Sequence, residues 1–226
     1  MRRLLPIIGL LVLSGCGHTD DQFVAAVKDL RPSVVLLTMK APSDDPKDNG
    51  ALVDVYATGF VVRSGAWGSD ILTVQHAIDG ASGLRVTIDN NVKRKATAKI
   101  VAQNKDLDIA LLRTPRANLP VAKLGDSSLL QAGQQIGEIG YPIPDQFTDE
   151  GLGLATSVDS GRISSMRKHA IEVNMPIVPG ESGGPVFAVD ERSIVGIAES
   201  RFDAERSIGF ALPINDAKPF IKKYER

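Results

Sequence analysis

Short apolar runs separated by turn residues make up most of the chain. Each run is rich in β-branched residues and too short for a helix, and glycine, asparagine, aspartate or serine bounds it, which is typical of strands joined by tight turns. The predicted strands are 34–38, 53–63, 71–74, 84–89, 92–101, 109–113, 135–139, 154–163, 170–174, 186–189, 194–199 and 209–212. Many short strands with little helix predict an all-β barrel or sandwich.

Helical spacing of apolar residues occurs near the two ends. Phe23, Val27 and Leu30 predict a short helix over residues 21–30, which Pro32 would stop. Near the C-terminus, Asn215 can cap a second helix, whose buried face would be Ala217, Phe220, Ile221 and Tyr224. The longest irregular stretch, 141–153, is predicted to be a loop, and such loops are often functional.

The N-terminus has the pattern of an export signal. Arg2 and Arg3 precede an apolar run, 4–13, that is too short to span a membrane comfortably. The sequence Leu-Ser-Gly-Cys at 13–16 resembles the bacterial lipobox, which implies that Cys16 is lipidated and becomes the first mature residue. Gly17 would then favour the outer membrane in a cell that has one. The alternative is an ordinary signal or short anchor with an incidental cysteine.

Composition narrows the classes of function. The 226 residues include 26 basic and 27 acidic residues, with no basic stripe and interleaved aromatics, so we expect no nucleic-acid partner. With 1 cysteine there is no internal disulfide. The 3 histidines lack His-x-x-x-His spacing and there is no Cys-x-x-Cys, so we expect neither a metal site nor a cofactor.

The stretch 179–185, Pro-Gly-Glu-Ser-Gly-Gly-Pro, is the strongest candidate for chemistry. It suits neither helix nor strand, so it could be a tight turn, the elbow of an α/β-hydrolase or a protease nucleophile loop. If Ser182 is a nucleophile, Gly180 would let the amides of Gly180 and Ser182 face one oxyanion, with Glu181 between them. Gly183 would allow neighbouring chain to pass close by.

A serine nucleophile needs a base, and His76 is the best candidate. It follows the apolar strand 71–74, whereas His18 lies beside the lipid anchor and His169 is in a solvated turn. No histidine follows Ser182 and strands do not alternate with helices, which excludes the α/β-hydrolase elbow.

The third group should be an acid between His76 and Ser182. Asp108 begins an apolar strand, where a partly buried carboxylate needs a partner such as a histidine N–H. Asp106 would face solvent, and Asp70 is a distant alternative. A plain turn-capping role for Asp108 is the structural alternative.

These residues together resemble the trypsin-like serine proteases, and more closely their HtrA-like branch. The matching pieces are 72–77, 108–112 and 180–185, supported by 32–35, 58–62, 124–127, 139–142 and 208–213. The resemblance implies two six-stranded antiparallel β-barrels with a cleft between them that holds the triad. The predicted divisions are a signal peptide at 1–15, a lipidated N-terminus and helix at 16–31, and barrels at 32–120 and 121–226, the second with the C-terminal helix.

Two residues depart from the pattern of the family, and one of its domains is expected to be missing. Glu181 stands where asparagine or aspartate is usual, and Gln75 stands where a small residue or asparagine is usual. We expect no peptide-sensing PDZ domain after the terminal helix.

The resemblance implies a serine endopeptidase of the bacterial cell envelope, anchored to the membrane by its lipid and acting on protein or peptide through an acyl-enzyme. Its first specificity pocket would involve Pro176, Ile197 and Ala198, suit a modest apolar side chain, and receive an extended substrate along 196–199. The alternative is a catalytically silent lipoprotein that keeps the fold and binds peptides or partner proteins.

Overall fold

A computed structural model describes residues 19–43, 47, 49–199 and 208–225, so Cys16, His18 and the predicted export signal lie outside the described residues. The helices and strands in chain order are α1 Thr19–Leu30, β1 Val34–Pro42, β2 Leu52–Gly65, β3 Gly68–Val74, β4 Ser82–Ile88, β5 Asn91–Thr97, β6 Lys99–Asn104, β7 Ile109–Thr114, β8 Gln135–Gly140, α2 Pro144–Asp149, β9 Ser157–Met166, β10 Ile171–Val173, β11 Pro185–Ala188, β12 Ser193–Glu199, β13 Gly209–Pro213 and α3 Ile214–Lys223. The predicted all-β class is therefore confirmed. No described helix has both the length and the apolar character needed to cross a bilayer.

The first half is a curled sheet of seven strands in the order β5-β4-β1-β2-β3-β7-β6, where six had been expected. The run 92–101, predicted as one strand, is divided at Ala98, whose amide donates to Leu84 O at 3.0 Å. The part before Ala98 pairs with β4 and the part after it pairs with β7. Because β5 and β6 are nearly continuous in sequence yet lie at opposite edges, the sheet has to curl into a half-barrel.

The second half is a closed barrel of six strands in the order β10-β13-β12-β11-β8-β9, as predicted. All of its pairings are antiparallel. Closure leaves no free sheet edge, and the loop between β10 and β11 carries Ser182.

Three apolar clusters organise the core. One fills the curled sheet around Leu37 and Ile71, and another fills the closed barrel around Ile136 and Val173. The third lies between the halves and takes its members from both sheets and from α1 and α3. Its burial holds the two halves against each other, and so fixes the position of any cleft between them.

Two local predictions need correction. The stretch 141–153 contains the short helix α2, which begins with proline at its first turn, a position where proline's missing N–H does no harm. The sequence also predicts a two-residue hairpin turn at Asn90-Asn91, which would need positive φ at both residues. The turn lies one residue earlier, since Asp89 and Asn90 have φ values of 54° and 53°.

Candidate active site

The nucleophile loop, defined as residues 179–185, requires glycine at its centre. Gly183 has φ of +88°, and a Cβ there would lie 2.3 Å from Thr58 O and 2.2 Å from Thr73 Oγ1. A side chain would be both strained and in collision with backbone, so only glycine fits. Ser182, immediately before it, is 5% exposed.

His76 and Asp108 are joined by two hydrogen bonds. The Nδ1 of His76 lies 2.6 Å from Oδ2 of Asp108, and the backbone N–H of His76 donates to Oδ1 at 2.8 Å. Asp108 is 2% exposed, and a buried carboxylate needs such donors. With Nδ1–H donating to the carboxylate, the Nε2 lone pair of His76 is left to accept a proton.

The backbone around Asp108 is adapted to this role. Asp108 has φ of 50°, a left-handed conformation that aspartate tolerates better than most residues. Its carbonyl accepts from the amide of Gln75 at 3.1 Å, so the turn before β7 is fastened to the end of β3. The predicted pairing of Asp108 with His76 thus follows from neighbouring strands of one sheet.

His76 and Ser182 line the same cleft between the two halves, with a volume of about 660 Å³. The curled sheet contributes Pro42, Tyr56 and His76 to its wall, and the closed barrel contributes Gly180 and Ser182. A base candidate and a nucleophile candidate therefore share one solvent-accessible surface, with Asp108 buried behind the base.

Two backbone hydrogen bonds orient the amides expected to bind an oxyanion. The carbonyl of Pro179 accepts from Ile143 N at 2.9 Å, and that of Glu181 accepts from Gly184 N at 2.8 Å. In a trans peptide the next N–H points opposite to the carbonyl, so the amides of Gly180 and Ser182 point away from these partners. Gly180 itself has φ of +97°, and a Cβ there would lie 2.2 Å from Tyr141 O.

Thr58 is a residue of the site that the sequence analysis did not single out. Its N–H donates to Ser182 O at 3.0 Å, and its Oγ1 donates to Gly180 O at 2.7 Å. That Oγ1 also accepts from Tyr141 N at 3.0 Å. A threonine inside an apolar strand gave no signal of this function, because its partners are more than eighty residues away in sequence.

Glu199 was also missed as a neighbour of the histidine. One of its carboxylate oxygens lies within 4.8 Å of a ring nitrogen of His76 and of an oxygen of Asp108, and the residue is 4% exposed. At the end of β12, it brings a second acid to the buried side of the His76–Asp108 pair.

Glu181 is buried although it lies between the two candidate oxyanion amides. It is 1% exposed, and its Oε2 accepts from Val178 N at 2.8 Å. Burial raises the pKa of Glu181 to about 7; the hydrogen bond from Val178 opposes the rise and the Asp159 carboxylate adds to it. Glu181 therefore points into the barrel and leaves the cleft to Ser182.

The residues predicted for the specificity pocket do not line the cleft of His76 and Ser182. Ile197 and Ala198 are fully buried, and Pro176 is exposed. The pocket stays a prediction.

The predicted substrate edge needs correction over 196–198. There β12 pairs with β13 on one side, while β11 or the nucleophile loop occupies the other side. Ala198 N donates to Gly184 O and Ala198 O accepts from Gly183 N. Because both sides are used, an extended peptide cannot add to this strand at residues 196–198.

The two rejected alternatives have other partners. Asp70 is fully buried and forms ion pairs with Arg63 at 2.7 Å and with Arg113 at 2.6 Å, so its carboxylate is committed to them. His169 is exposed, as predicted, and its Nδ1 lies 3.1 Å from Asp216.

The site contains a histidine, a serine hydroxyl and backbone N–H groups, which are the kinds of group that acyl transfer requires. Two groups of described acids and histidines are close enough to hold a metal: His76, Asp108 and Glu199, and a second group made of Glu138, Asp159 and Glu181.

The curled half-barrel sheet and the closed six-stranded barrel, with a cleft between them, define a chymotrypsin-like fold. The chain belongs to the trypsin-like peptidase domain family, whose sequence model matches residues 57–197.

Among its relatives, the Serine protease Do-like HtrA of Bacillus subtilis (strain 168) is 31% identical over 216 residues, 87% of this chain and 47% of the relative. A Probable periplasmic serine endoprotease DegP-like of Marinomonas sp. (strain MWYL1) is 32% identical over 159 residues, 69% of this chain and 32% of the relative. The chain thus spans less than half the length of both relatives. The HtrA-type protease AlgW, solved with a tripeptide, has a TM-score of 0.70 at 24% identity, covering 89% of this chain and 62% of AlgW. The predicted fold and the HtrA-like resemblance are confirmed.

Proposed function

We propose that the protein is a serine endopeptidase that uses His76, Asp108 and Ser182. The observation that carries the proposal is the doubly hydrogen-bonded His76–Asp108 pair, whose His76 lines the same cleft as Ser182. His76 Nε2 takes the proton from Ser182 as Oγ attacks the peptide carbonyl, and returns it to the leaving amine as the C–N bond breaks. Water then cleaves the acyl-enzyme ester by the same proton transfers, with Asp108 orienting the imidazolium.

The oxyanion of each tetrahedral intermediate would be bound by the amides of Gly180 and Ser182. Support comes from the backbone hydrogen bonds that fix both peptide planes and from the Thr58 hydroxyl bonded to Gly180 O. Loss of one such donor lowers turnover by about 10²- to 10³-fold, so Glu181, which lies between the two amides, is well placed to control activity.

The substrate class is protein or peptide. Relatives are named serine proteases, and AlgW was solved with a peptide. The predicted pocket of Pro176, Ile197 and Ala198 remains part of the proposal and would accept a modest apolar side chain. The rest of the substrate peptide would continue along the cleft past Tyr56.

The cellular location we propose is the bacterial envelope, with a lipid anchor at Cys16. The charged, then apolar, N-terminus and the lipobox-like 13–16 support export and lipidation. The name of the Marinomonas relative includes the word periplasmic, which agrees with this location. Gly17, the residue after the lipidated cysteine, would favour the outer membrane in a cell that has an outer membrane.

An active-site fluorophosphonate probe tests the function, because it labels only a serine that a neighbouring base activates. We expect wild type to be labelled and Ser182→Ala to remain unlabelled, while a matched control, Ser164→Ala on the exposed side of β9, keeps full labelling. Asp108→Asn should fold and label far more slowly, since the same change in trypsin-like triads lowers turnover about 10⁴-fold.

Absence of labelling in folded wild-type protein would contradict the proposal. It would favour the alternative function, a protease-fold protein that only binds peptides or partner proteins. Full-rate labelling of Asp108→Asn would show that another group orients His76.

A further inference from the structure

Three acidic side chains meet behind the nucleophile loop, on the side away from the cleft. Glu138 on β8, Asp159 on β9 and Glu181 in the loop each offer a carboxylate oxygen, and the three oxygens lie within 4.8 Å of one another. Glu138 and Asp159 are direct partners in the β8–β9 ladder, so their side chains project from the same face. We call these three residues the acidic cluster.

Two members of the acidic cluster have buried oxygens without a hydrogen-bond partner among the described residues. Glu138 is 1% exposed, and both of its carboxylate oxygens are unpartnered. The Oε1 of Glu181 is unpartnered as well. Burying a carboxylate without donors or a counter-charge carries a large free-energy cost, and placing three together increases it.

The positive side chains that the structure describes do not supply the missing charge. Within the described part of the chain, the ion pairs of lysine, arginine and histidine all involve other acids. Burial raises the pKa of Glu138, and the nearby Glu181 and Asp159 carboxylates raise it further. Since the described residues offer the cluster no counter-charge, a positive species from solution, either protons or a metal ion, would stabilise it.

We propose that the acidic cluster binds a divalent metal cation of the hard, oxygen-preferring class, with Ca²⁺ as the expected occupant. Any two of these oxygens, separated by no more than 4.8 Å, can touch one ion at the usual Ca²⁺–oxygen distance of about 2.4 Å. Ca²⁺ accepts irregular sets of carboxylates, whereas Mg²⁺ demands near-octahedral geometry and retains several waters. Asp159 is half-buried and offers the route from solvent.

Glycines next to the cluster leave the space that its carboxylates occupy. A Cβ on Gly184 would lie 2.3 Å from Glu138 Oε1, and a Cβ on Gly140 would lie 2.6 Å from the same atom. A side chain at Gly184 or Gly140 would therefore displace the Glu138 carboxylate from its position against the loop.

An ion in the acidic cluster would fasten the nucleophile loop to the barrel. Glu181 is the residue before Ser182, and its N–H and its Oε2 both bind Val178. A bridge from Glu181 to Glu138 and Asp159 would hold the peptide that carries the Ser182 amide. This consequence, a Ca²⁺-dependent oxyanion loop, rests on the proposed peptidase function; the ion site does not.

The ion site is tested by thermal unfolding of the full chain as the Ser182→Ala protein, which removes self-cleavage and any dependence on activity. After EDTA treatment, CaCl₂ is titrated at constant ionic strength and pH 8, with MgCl₂ and MnCl₂ in parallel. We expect a saturable rise in Tm of about 5–10 °C at a concentration on the order of a hundredfold above Kd. Isothermal calorimetry should give a stoichiometry of about one ion per chain if the cluster is one site.

Two variants locate the ion. Glu138→Gln in the same background should lose the Ca²⁺ response while raising Tm in EDTA, because it removes an unpartnered buried charge. The matched Glu225→Gln variant changes an exposed glutamate and should respond to Ca²⁺ as its parent does. If Glu138→Gln does not fold, Asp159→Asn takes its place. It changes the half-buried member of the acidic cluster and should weaken the Ca²⁺ response.

Two results would overturn the proposal. Lack of a saturable Tm shift with all three metals would indicate that protons alone neutralise the cluster. A full shift retained in both Glu138→Gln and Asp159→Asn would place the ion elsewhere. Because both readouts are independent of catalysis, a failure here is distinct from a failure of the fluorophosphonate test. In wild type, Ca²⁺ should also accelerate fluorophosphonate labelling if both proposals hold.

Discussion

At the scale of single residues, Thr58 connects the two halves at the point where the reaction would occur. It lies on β2, in the curled sheet, and is fully buried. Its N–H and hydroxyl bind the carbonyls of Ser182 and Gly180, and its own carbonyl accepts from Thr73 Oγ1 at 2.8 Å. The nucleophile loop is thereby held by a residue of the opposite half.

Replacing Thr58 with valine keeps the branched shape and removes the hydroxyl. The Gly180 carbonyl and the Tyr141 amide lose their buried partner, which should destabilise the fold by about 1–3 kcal/mol. If Thr58 positions the oxyanion amides, the rate of fluorophosphonate labelling should fall well below that of a variant of equal stability. Urea unfolding and labelling kinetics measure the two effects.

Thr87→Val is the matched control for this change. Thr87 is also fully buried, yet its Oγ1 has no hydrogen-bond partner among the described residues. Valine there should be neutral or stabilising and should leave labelling unchanged. Thr58→Ser, which keeps the hydroxyl, should restore most of the labelling rate; failure of this rescue would contradict a positioning role.

At the scale of helices and strands, Asp126 joins a short 3-10 turn, Ser127–Leu129, to the start of α3. Its carboxylate accepts from the Ser128 amide at 2.9 Å and from the Asn215 side chain at 2.6 Å. The prediction that Asn215 caps the terminal helix is therefore wrong: the helix begins at Ile214, and the Asn215 amide binds the turn. The spacing predicted the helix but not its first residue.

These bonds predict a specific pH dependence for Asp126. Hydrogen bonds from Ser128 and then Asn215 lower the pKa of Asp126 from 3.8 to about 2. A carboxyl whose pKa is lower in the folded state stabilises the fold fully above its unfolded pKa, and that contribution is lost as the pH falls through the folded pKa. The Tm advantage of wild type over Asp126→Asn should thus persist above pH about 4 and shrink toward pH about 2.

Thermal scans at closely spaced pH values measure this gap in Tm between wild type and Asp126→Asn. Asp106→Asn, a change at an exposed aspartate, controls for the general effect of losing one negative charge. A gap that stays constant down to pH 2, or that widens there, would contradict the assigned role of Asp126.

At the scale of the whole molecule, the cleft depends on how the halves pack. The cluster between them includes Phe60 and Leu72 of the curled sheet and Ile139 and Phe187 of the barrel. Farther from the cleft, Arg63 bridges Asp70 to the carbonyl of Tyr224, at the end of α3. The C-terminal helix thus fastens the second half to the first.

The predicted lipid anchor is also a property of the whole molecule. If Cys16 is lipidated, Cys16→Ser should move the protein from the membrane fraction to the soluble fraction of the envelope, because it removes the acyl chains. Cell fractionation with immunoblotting measures the distribution. Ser14→Ala, which keeps the cysteine, is the control, and an unchanged distribution of Cys16→Ser would contradict the lipobox interpretation.

The sequence by itself determined the strand class, the approximate position of nearly every strand and the identity of His76, Asp108 and Ser182 as candidates. These features are local: alternation and β-branched runs define strands, and glycines around a serine define a loop. The six-stranded barrel of the second half was implied by the resemblance to the trypsin-like proteases, whereas the terminal helices followed from the same kind of local signal. The division of 92–101 into two strands did not, because its lysine-rich sequence has no apolar alternation to mark the break.

Only the tertiary structure decided which distant residues meet. The role of Thr58 arises from partners in the other half, and the acidic cluster arises because β8, β9 and the nucleophile loop converge. The sequence indicated no metal site because its histidine and cysteine lack the close spacing of metal ligands, whereas these acids lie 21 or more residues apart. Local pattern reports which face of a strand is buried, but the charges and hydrogen bonds opposite that face depend on chain packing that no local pattern encodes.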